Sequence, residues 1–164
     1  MKVIHFIRHA KSSWDDPRLS DLKRPLKGRG RRDCALMAEP LWDLGWRGQQ
    51  VYCSAATRAQ QTIAGISEAL SGRSIDWVIE PELYTFSSSA VLSFLESLDD
   101  SLTAVTLVGH NPAFTDVIDH LTDDSFEHLP TCAYARVEAA VPEWSSLSAN
   151  GATLKHFLKP KMLK

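Results

Sequence analysis

The sequence predicts a single α/β domain over residues 1–164, a three-layer α/β/α arrangement around a mostly parallel sheet with an antiparallel C-terminal extension. Three observations lead there. Short apolar, β-branched runs such as Val3-Ile4-His5-Phe6-Ile7 and Val105-Thr106-Leu107-Val108 end at turn-forming residues, as buried parallel strands do. Stretches with helical spacing fall between these runs, the alternation that builds a sheet covered on both faces. After Pro130 the alternation stops, and two strand-like runs follow each other without a helix.

The elements can be justified in chain order. Residues 2–7 form the first strand, and a long charged connection follows to about residue 27. A helix is expected over 28–44, where Leu36, Met37, Leu41 and Leu44 approach helical spacing and Gly45 stops the run. Pro40 inside it should kink or shorten it. Gln50 to Cys53 is the second strand, and Ser54 is placed to cap a helix over 55–70. The third strand is 76–79. Ser87, Ser88 and Ser89 offer caps for a helix near 90–98. The fourth strand is 103–108, and Asn111-Pro112 opens another helix. The final strands are 133–141 and 152–158, with Asn150-Gly151 as a turn signal between them.

The bulk numbers exclude several classes. The 164 residues are 44% hydrophobic and 23% charged, enough for one soluble core. Net charge is −2, which argues against general affinity for nucleic acid or membrane. No stretch approaches the ~18 apolar residues of a membrane span. The five tryptophans do not interleave with a basic patch, so they read as packing rather than base-stacking platforms. Cys34, Cys53 and Cys132 are odd in number and lack metal or redox spacing, which points to a reducing cytoplasm. A monomer is the default, since there is no heptad seam. Charge is nevertheless segregated. Nine basic residues stand against three acids from Arg8 to Arg32, and no Lys or Arg lies between Arg73 and Arg136. Such a field draws anions toward the end of the first strand.

The chemistry sits at the strand ends. Arg8-His9-Ala10 follows the first strand, Ser54 to Arg58 the second, and Gly109-His110-Asn111-Pro112 the fourth. Carboxyl ends of parallel strands form the ligand edge of an open α/β sheet. Arg8 and Arg58 offer forked donors matched to phosphate oxygens, and the helix after Ser54 points its amide end at the same crevice. A neutral His9 imidazole can attack phosphorus, while His110 can stabilise charge on the equatorial oxygens. The pocket needs no metal and no cofactor. Cys53 to Arg58 is one residue short of the Cys-x5-Arg loop of cysteine phosphatases. Gly28-Arg29-Gly30 follows no strand directly and lacks the third glycine of a dinucleotide fingerprint.

Taken in order, Arg8-His9-Ala10-Lys11-Ser12, Arg24-Pro25-Leu26 with Arg29-Gly30, Ser54 to Thr62, Leu83-Tyr84 and Val108 to Pro112 resemble the histidine phosphatase superfamily. They are closest in character to its small phosphohistidine phosphatase branch, the SixA type. The resemblance implies His9 as the phosphorylated nucleophile, Arg8, Arg58 and His110 as the phosphate pocket, and Ser12 and Asn111 as neighbours that bind substrate. Larger relatives carry a dedicated carboxylic acid in the third-strand region. Here that stretch reads Glu80-Pro81-Glu82-Leu83-Tyr84-Thr85, and Glu82 is the candidate general acid. Arg24 and Arg29 are expected to anchor the first loop, in part through Asp21, with Asp15 facing outward and Trp14 placed to wall the pocket.

A doubtful acid bears on substrate. An alkoxide needs a proton to leave, whereas an imidazole, with a conjugate-acid pKa near ~6.5, leaves more easily. The short connection from Tyr84 to Thr103 leaves no room for a lid, so a phosphorylated protein side chain can enter. The expected function is hydrolysis of protein phosphohistidine through phospho-His9. The alternatives are a broad phosphomonoesterase for small phosphate esters and a phosphate-binding module without turnover.

Overall fold

The computed structural model describes residues 1–123 and 126–164. The chain folds as β1 (Lys2–Arg8), α1 (Gly28–Asp43), β2 (Val51–Cys53), α2 (Thr57–Ala69), β3 (Trp77–Ile79), α3 (Ser88–Glu96), β4 (Ala104–Gly109), α4 (Ala113–Leu121), β5 (Tyr134–Ala139) and β6 (Ala152–Leu158). The sheet order is β3-β2-β4-β1-β5-β6. β3, β2, β4 and β1 run parallel, and β5 and β6 extend the β1 side antiparallel.

Alternation along β1 divides the core. Ile4 and Phe6 face one layer with Val105, Leu107, Phe94, Phe114 and Ile118 from β4, α3 and α4. Ile7 faces the other with Met37, Leu41, Ile63 and Ile66 from α1 and α2. Side chains two apart on a strand share a face, so one strand feeds both layers.

Several boundaries depart from the sequence reading for local reasons. α1 runs to Asp43 with Pro40 inside it, three residues from its end, so the proline does not shorten it. It removes one ladder bond, the one an N–H there would give to the Leu36 carbonyl, and the last turn forms beyond it. α2 begins at Thr57, with Ala56 in the cap position and no side-chain cap. Ser54 does not cap it, because its hydroxyl is engaged elsewhere. α3 begins at Ser88, two residues earlier than expected, and Ser87 bonds the Ser89 hydroxyl instead of a helix amide. β5 and β6 are joined by a long connection carrying a short 3-10 turn at Trp144–Ser146, and Asn150 takes the left-handed conformation before Gly151.

Two glycines permit close approaches that shape the site. A Cβ on Gly30 of α1 would lie 2.3 Å from the Lys11 carbonyl oxygen, so only glycine lets the loop after His9 rest on this helix. A Cβ on Gly109 would lie 2.7 Å from the Phe114 ring, which packs directly under the end of β4.

Candidate active site

β1 and β4 are neighbours in register, Arg8 opposite Gly109. The ladder continues past the strands: the His9 amide donates to the Gly109 carbonyl at 3.0 Å, and the Ser54 amide to the Val108 carbonyl at 2.9 Å. Three strand ends therefore deliver His9, His110 and Ser54 to one crevice. The two imidazole centroids are 5.2 Å apart.

His9 is 8% exposed, and its Nδ1 lies 2.8 Å from the Ala10 carbonyl oxygen. A carbonyl only accepts, so Nδ1 carries the proton and Nε2 keeps its lone pair. Burial lowers the His9 pKa to about 3; the Ala10 bond opposes this, and His110, Arg58 and Arg8 add to it. The ring is neutral at neutral pH, as a nucleophile requires. The turn that presents it is fixed from α2: the Ala10 amide donates to Thr62 Oγ1 at 2.9 Å, and that hydroxyl donates to the Arg58 carbonyl at 2.7 Å.

His110 is held from two sides. Its Nε2 lies 2.7 Å from Ser54 Oγ, and Arg58 Nη2 lies 3.4 Å from its Nδ1. The guanidinium only donates, so Nδ1 accepts from it and Nε2–H donates to Ser54. Ser54 Oγ also accepts the Ala56 amide at 3.2 Å. Burial, then Arg58, brings the His110 pKa down to about 4, with Asp21 working the other way.

Arg58 is a buried cation and Arg8 a half-buried one, and both have unused donors. Arg58 gives Nη1 to the Asp21 carbonyl at 2.7 Å and Nη2 to the Asp21 carboxylate at 3.0 Å. Arg8 gives Nη1 to the Leu129 carbonyl at 3.1 Å. The Nε of each is buried without a protein partner. Burial and the Arg58 charge push the Arg8 pKa below its usual value. A tetrahedral oxyanion is the natural acceptor for two such donors and would offset the surplus positive charge.

Asp21 is the hub that sequence reasoning underrated. Besides Arg58 it accepts from Tyr84 Oη at 2.6 Å and Arg24 Nε at 3.3 Å. Partial burial opposes its charge, but bonds from Tyr84 and Arg58, with the Arg58 and Arg24 charges, hold its carboxyl below the usual range. The expected anchoring of Arg24 through Asp21 is therefore present. Tyr84 and Phe86 pack against His110 at 5.5 and 5.6 Å between centroids. Trp14 is 71% exposed and stacks on Arg24, whose guanidinium carbon is 3.5 Å from its ring centroid.

The remaining candidates sit further out. Glu82 is exposed on the short turn Pro81–Leu83, and its carboxylate bonds none of the four pocket residues. Ser12 is buried in an isolated bridge to Leu26 that pins the first loop. Both ends of the Asn111 side chain are engaged: Nδ2 donates to the Leu129 carbonyl at 2.8 Å, and Oδ1 accepts the Thr115 amide at 3.1 Å. Asn111 thereby fixes the same carbonyl that holds Arg8. Asp15 is exposed, as expected. The Cys53 thiol is pushed up to about 12 by burial, which suits a packed strand residue. Among the described residues, no group of three or more His, Cys, Asp or Glu is placed to hold a metal. No described helix is long and apolar enough to cross a membrane.

Residues 4–87, which include His9 and Arg58, match the family model of the histidine phosphatase superfamily, branch 1. The chain belongs to this superfamily. It is 28% identical over 153 residues to an uncharacterised chloroplastic protein of Arabidopsis thaliana, covering 87% of this chain and 69% of the plant protein. A proposed phosphohistidine phosphatase SixA from Nakamurella multipartitia superposes with a TM-score of 0.81 at 22% identity, over 97% of this chain and 96% of that one. A protein histidine phosphatase SixA complexed with tungstate gives 0.80 at 24% identity, over 99% of each chain. This histidine phosphatase thus has the SixA-type fold throughout, and the fold adds His110, which lies beyond the family match, to the pocket.

Proposed function

We propose that this phosphatase removes the phosphoryl group from phosphohistidine on a protein, through a covalent phospho-His9 intermediate. The observation that carries the reading is the state of Asp21, the carboxylate bonded to Arg58. Asp21 is ionised and holds three donors, so it has no proton to give a leaving group. Glu82 is exposed and unengaged. A leaving group that needs little help fits such a site, and an imidazole is one.

The steps follow from the geometry. The substrate's phosphoryl oxygens take the donors of Arg8 and Arg58, Arg58 Nη2 turning to them from His110 Nδ1, and the dianion raises the pKa of His110 so that the freed Nδ1 gains a proton from solvent and donates as well. His9 Nε2 supplies its lone pair to phosphorus. The phosphorus–nitrogen bond to the substrate ring breaks, and its electron pair returns to that nitrogen. A ring already protonated on its other nitrogen departs as neutral imidazole. Water then attacks phosphorus in line, His9 leaves with the pair that held phosphorus, and phosphate departs with the water's proton shared among phosphate and solvent. That a similar fold was solved complexed with tungstate, a tetrahedral oxyanion, supports this use of the pocket.

The test is metal-free phosphate release from a phosphohistidine protein and from p-nitrophenyl phosphate, with wild type and His9→Ala. Faster turnover of phosphohistidine, lost in the variant, is expected. Faster turnover of the ester would favour a general phosphomonoesterase and turn attention to Glu82. No turnover of either, with phosphate still bound, would favour a binding module.

A further inference from the structure

Phe86 is a large apolar side chain left 50% exposed beside the buried His110. Its ring meets those of His110 at 5.6 Å and Tyr84 at 6.0 Å between centroids, both in T-shaped pairs. The half of its surface that no neighbour covers is open to solvent. Trp14, the other exposed aromatic near the site, has its face covered by Arg24. In-line transfer to His9 places the leaving group on the side of phosphorus away from His9. His9 is 8% exposed, so its far side opens toward solvent, and Phe86 is exposed beside His110.

We propose that the open face of Phe86 is a leaving-group subsite that takes an aromatic ring, and that the ring it favours is a protonated imidazole. This rests on the phosphohistidine reading above and deepens it. An aromatic face carries negative quadrupole density and attracts a cation above it, so Phe86 favours the imidazolium over the neutral ring. The imidazolium is the form that leaves as neutral imidazole when the phosphorus–nitrogen bond breaks. Phe86 thereby does part of what a general acid does elsewhere: it enriches the substrate form that brings its own proton. The two guanidiniums do not oppose this, because the phosphoryl dianion on the same ring answers them.

The experiment compares two substrates with the same phosphorus–nitrogen bond, a synthetic peptide carrying one phosphohistidine and phosphoramidate, which has no ring. Phe86→Leu keeps an apolar side chain on His110 but removes the π-face. The ratio of kcat/KM for the peptide over phosphoramidate should fall about 3- to 10-fold, the size of one aromatic contact, and Phe86→Trp should restore it. The fall should be full while the substrate ring is protonated and should not deepen as pH rises through its titration. An unchanged ratio, or a fall that Phe86→Trp does not reverse, overturns the proposal. If the wild type hydrolyses esters and neither nitrogen-bonded substrate, the phosphohistidine reading fails separately. The ratio of p-nitrophenyl phosphate to glycerol phosphate then tests the ring subsite: a fall in Phe86→Leu keeps it, and no change removes it.

Discussion

β1 and β4 lie side by side and each ends in a histidine, yet the two rings are held by different means. His9 is oriented by the carbonyl of the very next residue. His110 is oriented by Ser54, 56 residues away, and by Arg58, which is itself tied to Asp21 in the first loop. The tautomer of His9, the proposed nucleophile, is thus a property of the local backbone, robust to changes elsewhere. His110, proposed to answer charge on phosphorus, depends on three separate elements meeting. The proposed mechanism asks one ring to stay in a single state and the other to change its protonation when an anion arrives.

The sharpest way to break the comparison is to remove each ring. His9→Ala should abolish the trapped phosphoenzyme and cost on the order of 10⁴-fold or more in kcat, as loss of a nucleophile does. His110→Ala should cost about 10²- to 10³-fold, the usual loss for one charge-stabilising donor, and should still form phosphoenzyme slowly. Equal losses, with no phosphoenzyme in either, would erase the distinction between the two roles.

Smaller changes probe the supports of His110 alone. Asp21→Asn removes a negative charge beside the phosphate while loosening Arg58. Inorganic phosphate should then inhibit at lower concentration as kcat falls by about 10-fold, the scale of one charge-assisted hydrogen bond. Weaker phosphate inhibition would mean that the carboxylate serves binding directly. Ser54→Ala should lower kcat by a similar or smaller factor, about 5- to 10-fold, with Ser54→Thr restoring most of it. Nitrogen-15 spectra should show His110 protonated on Nε2 in the free enzyme and on both nitrogens with phosphate bound. His9 should keep its proton on Nδ1 in every one of these variants.

The same contrast explains what the sequence made legible. Strand ends are periodic and sharply punctuated, so His9, His110, Arg8 and the start of the Ser54–Thr62 stretch could be placed at one edge without coordinates. Asp21 lies in a charged connection with no period, and its importance arises only because that connection folds back over α2. Ser54 has the composition of a helix cap, and nothing local says that its hydroxyl turns to a histidine on another strand. Asn111 looks like a pocket amide because it follows His110, yet its side chain is used up on Thr115 and Leu129. Glu82 is an acid in the right stretch, whereas the side chains that reach His110 from there are Tyr84 and, just past it, Phe86. Pairwise contacts between distant segments, not residue types, decide these cases.

A further effect concerns stability and separates the site histidines from a third one. His5 is fully buried on β1, bonded through Nδ1 to the Tyr134 hydroxyl at 2.7 Å, and burial, then Arg136, lowers its pKa to about 4. With His9 at about 3 and His110 at about 4, three groups titrate lower in the folded chain than in the unfolded one. Below the unfolded pKa of ~6.5 the unfolded state binds more protons, so stability falls as pH drops from there toward 4, by up to about 1.4 kcal/mol per pH unit for each histidine. On the proposed mechanism His110 gains a proton when a dianion binds, so the stabilising effect of sulfate, a dianion throughout, should grow over the same range. Urea midpoints at pH 7.5 and 5.5, with and without sulfate, test both statements. His5→Phe should reduce the acid sensitivity of the free protein and leave the sulfate-linked part intact. His110→Phe should abolish the sulfate-linked part, because the proposal gives the change of charge to that ring.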